Sequence, residues 1–122
     1  MLVLIKKRNE MINGFEKETH ELTDYEMFLL PKIVIGLKTK VGETKAITNK
    51  EMVDKLRLLD YKVNPARIRK IINYIRINRL IINLVSSSKG YWVENNIDRI
   101  KSYIESLEQR ANEIQRVANS FK

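Results

Sequence analysis

Residues 64–76 read NPARIRKIINYIR, and residues 84–93 read LVSSSKGYWV. The first stretch opens with an asparagine that can cap a helix and a proline that suits the first helical position. Its isoleucines then recur at helical spacing, which predicts an amphipathic helix extending to about Leu80. Two β-prone runs, 81–85 and 90–93, are separated by three serines and a lysine, and the second run begins with a glycine, as in a hairpin. A helix followed directly by a hairpin is the pattern that decides the fold.

Two similar helix starts lie upstream. Thr23–Glu26 and Thr48–Glu51 both have the spacing of a capping box, in which the threonine and the glutamate each satisfy a backbone N–H. The first predicted helix contains Pro31, so it either kinks or restarts there. Its apolar stripe is Met27, Leu30, Val34 and Leu37, and the stripe of the second helix is Met52, Val53, Leu56 and Leu59.

The predicted order is helix, short extended segment at 45–48, helix, turn at 60–63, helix, hairpin and final helix. This order is the plan of a winged helix-turn-helix. The fold class is therefore mainly α with a small β-hairpin wing, plus a long C-terminal helix. The predicted divisions are an N-terminal arm or short helix at 1–22, a winged helix-turn-helix domain at 23–95, and the long helix at 96–122.

Positive charge is concentrated in the middle of the chain. The net charge is +8, and residues 49–95 contribute +6 of it from ten basic and four acidic side chains. Residues 61–93 form an acid-free window that holds seven Lys or Arg. A localised basic region on a helix followed by a hairpin indicates an electrostatic footprint for phosphates, with double-stranded DNA as the expected partner.

A helical wheel assigns roles within this region. With Ile68, Ile71, Ile72 and Ile75 turned to the core, the outward positions are Ala66, Lys70, Asn73 and Ile77. The N-terminal part of such a helix enters the major groove, so the predicted base contacts are Arg67, Arg69, Lys70 and Asn73. Arg76 and Arg79 are expected to bind phosphates or to form structural ion pairs. Further phosphate contacts are expected from Lys62 in the turn, Lys89 at the hairpin tip, and Asn49 and Lys50 at a helix start.

A second interpretation stays open, because a basic helix face is most often only solvated. In that case the chain is a protein-interaction adaptor or structural component that docks through the hairpin and the long helix.

Four segments together resemble small winged-helix proteins of bacteriophage and prophage gene clusters. They are LTDYEMFLLPKIVIGLKTKVG, ITNKEMVDKL, ARIRKIINYIR and SSKGYWV, the last followed by a long polar helix. The resemblance implies a winged-helix domain of a phage or mobile element, with one kinked helix through Pro31. The expected function is transcriptional regulation, or an accessory role in DNA replication or maintenance, in the cytoplasm of a bacterial or phage-infected cell.

The C-terminal helix has its own pattern. Apolar residues alternate at spacings of three and four from Ile97 to Phe121, which is a heptad seam. The seam predicts a homodimer; spacing alone leaves parallel and antiparallel pairing open. In the alternative, the first half packs on its own domain and the tail projects. The predicted dimerisation residues are Ile100, Ile104, Leu107, Ala111, Ile114 and Ala118.

The sequence offers little for catalysis. It has no cysteine, one histidine (His20), isolated glycines, and serines at 86–88 with no neighbouring base. We therefore expect no enzyme, no metal site and no cofactor. No apolar stretch approaches the ~20 residues of a membrane span. Trp92 is expected to be partly in the core, because alternation on a strand turns one of Tyr91 and Trp92 inward.

Overall fold

A computed structural model describes residues 21–122, so His20 and nearly all of the predicted N-terminal arm lie outside the described residues. The described part is mainly helical, with a small two-stranded antiparallel hairpin and a long C-terminal helix, as predicted. Its helices are α1 (Asp24–Lys38), α2 (Asn49–Leu58), α3 (Pro65–Ile77) and α4 (Ile97–Ser120), and its strands are β1 (Leu84–Ser87) and β2 (Gly90–Val93).

The helix starts form as the local sequence predicts. At α1 the Thr23 Oγ1 accepts from the Glu26 N–H at 3.2 Å, and Glu26 Oε1 accepts from the Thr23 N–H at 2.8 Å. The same reciprocal pair forms at α2 between Thr48 and Glu51. At α3 the Asn64 side chain accepts from the Arg67 N–H at 2.8 Å. These caps are confirmed because each depends only on residues three apart.

The core-facing stripe of α1 was predicted incorrectly in part. Its buried apolar residues are Leu29, Leu30, Ile33 and Leu37, whereas Met27 is exposed and Val34 is only half-buried. The helix is turned so that Glu26, one turn before Leu29 and Leu30, is also buried. The helix is continuous through Pro31, which lies on its exposed side.

The ends of α2 and α3 also depart from the pattern. Leu59 is exposed because it is the C-cap of α2 and no longer follows the helical stripe. α3 ends at Ile77, before the predicted Leu80. Arg79 adopts a left-handed φ of 54°, and the Leu80 N–H turns back to the Ile75 carbonyl at 3.0 Å. This return bond closes the last turn, so the helix cannot continue.

α3 supplies the centre of the core. Ile68, Ile71, Ile72 and Ile75 are all buried, as their spacing predicts. They share one apolar cluster with residues of α1, α2 and β1. Burying four isoleucines on one helix contributes roughly 1.5–3 kcal/mol each before entropy is counted, so the orientation of α3 is strongly fixed.

The hairpin is joined by a third segment. β1 pairs with β2 from Leu84 opposite Val93 to Ser87 opposite Gly90. The first strand was predicted at 81–85; it instead begins at Leu84 and includes Ser86 and Ser87, because Asn83 has a left-handed φ of 65° that interrupts the extended run. On the other edge of β2, the Tyr91 N–H donates to the Ile47 carbonyl at 2.8 Å and its carbonyl accepts from the Ile47 N–H at 3.0 Å. The predicted extended segment at 45–48 is therefore reduced to one bridge at Ile47, preceded by a 3-10 turn at Glu43–Lys45.

Within residues 21–122, α4 is partly buried only in its first half. Ile100, Tyr103 and Ser106 are half-buried, and every residue from Leu107 to Lys122 is exposed. In the part of the chain that the structure describes, more than half of this helix is therefore exposed.

The position of Gly90 gives a test of the hairpin junction. Gly90 has φ +116°, and a Cβ there would overlap the Ile47 carbonyl and lie 2.7 Å from the Thr48 nitrogen. We expect Gly90→Ala to lower the free energy of unfolding by about 2 kcal/mol or more, because an unfavourable φ alone costs about 1–3 kcal/mol. The measurement is denaturant unfolding followed by far-UV circular dichroism.

Gly36→Ala is the matched control, because nothing lies within 4 Å of a Cβ at Gly36 in α1. This variant should be as stable as the wild type, or more stable by up to about 1 kcal/mol, since alanine favours helix. Equal losses in both variants would contradict the close approach at Gly90.

Candidate nucleic-acid interface

A buried carboxylate of α1 lies against the basic helix α3. Glu26 is 3% exposed. Its Oε1 lies 2.7 Å from Lys70 Nζ, and its Oε2 lies 3.1 Å from Arg67 Nε. The Lys70 side chain is 16% exposed, so this cation turns toward α1 and not to solvent. The expectation that Lys70 points outward is therefore wrong.

The titration of Glu26 reflects this environment. Burial by itself raises the pKa of Glu26. This effect is outweighed by hydrogen bonds from Lys70, from the Thr23 backbone N–H and from Arg67, so the pKa is lowered from its usual 4.5. The carboxylate is thus charged at neutral pH. A buried charge is tolerated when it is paired and hydrogen-bonded, as here.

Arg67 has a wider structural role. Its Nη1 donates to the Lys62 carbonyl at 2.8 Å, and its guanidinium lies 5.2 Å from the Tyr25 ring centroid. The Tyr25 hydroxyl accepts from the Lys62 N–H at 2.8 Å. Arg67 therefore links α1, the turn before α3 and α3 itself. The sequence prediction of Arg67 as a base contact did not consider Glu26, which lies outside the acid-free window.

Arg76 joins α3 to the hairpin and to α4. Its Nε donates to the Leu84 carbonyl at 2.9 Å, and its Nη2 donates to the Ser86 and Tyr103 hydroxyl oxygens, both at 3.1 Å. Its guanidinium also lies within 6.0 Å of the Tyr91 and Tyr103 rings. Of the two expected roles, the structure thus gives Arg76 a structural one, made with neutral oxygens and aromatic rings in place of an ion pair.

Other predicted contact residues also have partners. Asn49 Nδ2 donates to the Pro65 carbonyl at 3.1 Å, so Asn49 holds the start of α2 against the start of α3. Lys50 forms an exposed i,i+4 pair with Asp54 at 3.1 Å. Lys89, at the hairpin tip, pairs with Glu43, whose other carboxylate oxygen lies 3.1 Å from Arg99. The hydrogen bond from Lys89 lowers the pKa of Glu43.

The outer face of α3 is defined here by Ala66, Arg69, Asn73 and Ile77; three of these four were predicted to point outward, and Arg69 takes the place of Lys70. Ala66, Arg69 and Ile77 are exposed, and Asn73 is half-buried. Lys62 precedes this face in the chain with an exposed side chain, and Arg79 follows it, also exposed. Of the predicted base contacts, Arg69 and Asn73 lie on the outer face, whereas Lys70 does not.

Comparison with protein-family models, with curated proteins and with solved structures finds no match for this chain. The resemblance to phage winged-helix proteins therefore stays a prediction. Among residues 21–122, no group of three or more His, Asp or Glu side chains is placed to hold a metal ion. In the same part of the chain, no helix is long and apolar enough to cross a membrane.

A second buried carboxylate was missed by the sequence prediction. Glu94 is buried and accepts from the Trp92 indole N–H at 3.1 Å and from the Asn95 and Asn96 N–H groups. The hydrogen bond from Trp92 is the largest cause of the lowered pKa of Glu94. Trp92 is buried, as expected from strand alternation. Its link to Glu94 fixes the junction of β2 with α4.

The ion pairs of Glu26 can be tested by removing its charge. We expect Glu26→Gln to lower the free energy of unfolding at pH 7 by about 3 kcal/mol, because breaking a buried pair leaves the cations of Lys70 and Arg67 without a counter-ion. Because the folded-state pKa is lowered, the wild-type advantage is present above about pH 4.5 and is lost as the pH falls through the folded-state pKa.

Glu51→Gln is the control for this variant. Glu51 occupies the same position in the capping box of α2 but is exposed, so its loss should cost no more than about 1 kcal/mol. Denaturant unfolding at several pH values measures both. A Glu26→Gln loss no larger than that of Glu51→Gln would contradict the structural importance of the pairs.

Proposed function

We propose that this chain is a winged helix-turn-helix protein of phage or mobile-element type that binds double-stranded DNA, as a transcriptional regulator or an accessory factor in DNA replication or maintenance. The observation that carries the proposal is the presentation of the outer face of α3. α2 and α3 are joined by the short turn after Leu58, and the hairpin follows α3 directly. This is the order in which helix-turn-helix proteins present a recognition helix beside a wing.

The chemistry of the outer face supports DNA as the ligand. Arg69 offers a guanidinium for guanine edges, and Asn73 offers an amide for adenine. Ala66 is small enough to allow close approach of the helix to a groove. The pairing of Arg67 and Lys70 with Glu26 holds the N-terminal half of α3 in place, and such preorganisation lowers the cost of binding.

Phosphate contacts are assigned to the exposed cations near the start of α3. The Asn49–Pro65 hydrogen bond brings the N-termini of α2 and α3 together. Lys50 and Lys62 therefore lie close to two helix N-termini, whose N–H groups favour anions. In this proposal the residues that contact the duplex are Arg69, Asn73, Lys50 and Lys62. The residues that hold this DNA-binding surface in place are Arg67, Lys70, Arg76 and Asn49.

This division of roles predicts two kinds of variant. Lys50→Ala with Lys62→Ala should weaken binding to all duplexes and reduce the slope of log affinity against log salt by about 0.9 for each phosphate that is no longer neutralised. Arg69→Ala with Asn73→Ala should instead reduce the preference for a selected sequence over a random one. Fluorescence anisotropy on labelled duplexes, from low to moderate salt, measures both quantities.

Arg116→Ala is the control, because Arg116 lies on the exposed part of α4 and pairs with Glu113. It removes one positive charge without touching α3, so it should retain wild-type affinity. Circular dichroism confirms that each variant is folded. A wild-type chain without salt-dependent affinity for any duplex would contradict the proposed function.

A partly exposed aromatic cluster favours a second candidate function, that of a protein-interaction adaptor. The cluster is Tyr25, Phe28 and Tyr61: the Phe28 ring lies 6.2 Å from each of the other two. Phe28 is 54% exposed, and Lys32 Nζ lies 5.0 Å from its ring centroid. Tyrosine is among the residues enriched in binding hot spots, and two of the three residues here are tyrosines.

The adaptor function predicts that a stable protein partner is lost in Phe28→Ala and retained in Arg69→Ala with Asn73→Ala. Affinity purification of the tagged chain from cells that express it natively, followed by mass spectrometry, compares the two variants. A partner that depends on Arg69 and Asn73 and not on Phe28 would contradict a role for the aromatic cluster.

A further inference from the structure

The two halves of the α4 seam differ in their surroundings. In the first half Ile100 is half-buried, and Ile104 and Leu107 are 47% and 44% exposed. In the second half Ile114 and Phe121 are 70% and 85% exposed. One end of the seam is thus partly covered by its own domain, and the other end is largely exposed among the described residues.

An open groove runs beside the first half. Its walls are α4 on one side and the segment that links α3 to β1 on the other; the residues used here are Arg79, Ile82, Ile100, Ile104 and Leu107. The Ile82 side chain is largely exposed, and the side chains of Ile104 and Leu107 are partly exposed. Ile100, Ile104 and Leu107 belong both to the groove wall and to the seam, so the groove adjoins the exposed apolar part of α4. Adjoining exposed apolar residues of this kind mark interaction sites.

We propose that two copies of this chain pair through α4 in antiparallel orientation, so that the projecting second half of each α4 fills the groove beside the first half of the other. The second copy is the occupant because the described part of one chain supplies both an open groove and an exposed apolar helix end. Such a contact is isologous and closes as a dimer. It does not depend on whether the chain binds DNA.

The sizes of the seam residues favour this orientation. In an antiparallel pair Leu107 lies opposite Ala111 of the partner subunit, and Ile100 lies opposite Ala118 of the partner subunit. Ile104 then meets Ile114 of the partner subunit. Large residues thus face small ones in these two pairings, each of which occurs twice by symmetry, as good core packing requires. Parallel pairing in register would set each alanine against its own copy and leave these layers underfilled.

The positions beside the seam lead to the same orientation. Tyr103 and Val117 are the apolar residues there, both at g positions of the heptad. Antiparallel helices place g against g, so Tyr103 lies near Val117 of the partner subunit. Parallel helices place g against the e position five residues on, which would set Tyr103 and Val117 against Glu108 and Lys122 of the partner subunit.

At the centre of the antiparallel pair, repulsion between like charges opposes pairing weakly. Glu108 and Arg110 lie there, and each faces its own copy. Both are exposed, so solvent screens this repulsion. At ~1.5 Å per residue, α4 is ~36 Å long, which is enough for each second half to reach along the first half of the other helix.

The absence of cysteine from the sequence allows a direct test of orientation. Full-length Ile104→Cys and Ile114→Cys are prepared separately, and each is treated with a short bismaleimide alone and after mixing and equilibration. Antiparallel pairing predicts that covalent dimers form in the mixture and contain one copy of each variant. Each variant alone should stay uncrosslinked, because identical residues then lie ~15 Å apart along the helix axis.

A second pair of variants tests the seam itself. Ile114→Glu should convert the dimer to a monomer in light scattering after size exclusion, whereas Gln109→Glu, on the opposite side of the helix, should leave the dimer intact. Both sites are exposed, so the fold of the domain is preserved. A monomeric wild type, or Ile114→Cys that crosslinks to itself, would overturn the proposal. A dimer without affinity for DNA would contradict only the proposed function.

Discussion

The buried carboxylate of Glu26 determines how the basic helix can be used. It lies on α1, it caps its own helix through the Thr23 N–H, and it accepts from Lys70 and Arg67 of α3. Glu26 is 3% exposed, and its carboxylate requires such partners because an unpaired buried carboxylate is strongly unfavourable. The orientation of α3 against α1 therefore follows from two contributions: four buried isoleucines, and one carboxylate that requires two cations.

This constraint changes the meaning of the acid-free window. Seven positive charges in 33 residues suggest a uniformly basic surface. The structure instead directs Lys70 and Arg67 to Glu26, Arg76 to the hairpin and α4, and Lys89 to Glu43. The exposed side chains of Lys62, Arg69 and Arg79 are distributed along the outside of α3. The exposed basic surface is therefore smaller than the charge count suggests, and the paired cations hold α3 in place beneath it.

The same side chains also connect the parts of the fold. Arg76 lies between Tyr91 and Tyr103 and contacts β1, so the end of α3, the hairpin and the first half of α4 are held together. Glu94 caps the junction from β2 to α4 and anchors the Trp92 indole. Beyond Leu107 no comparable anchor exists among the described residues, and the apolar seam continues into solvent.

The sequence by itself determined the features that depend on neighbours a few residues apart. These are the three helix caps, the isoleucine face of α3, the second strand of the hairpin and the heptad seam, since each is set by local hydrogen bonding or by the period of a helix or strand. It could not determine the inward face of α1, the end of α3 at Ile77 or the single bridge at Ile47. Only the tertiary structure decided which charges stay at the surface. The Arg67 and Lys70 partners of Glu26 are 41 and 44 residues away, and they meet only because α1 and α3 pack together.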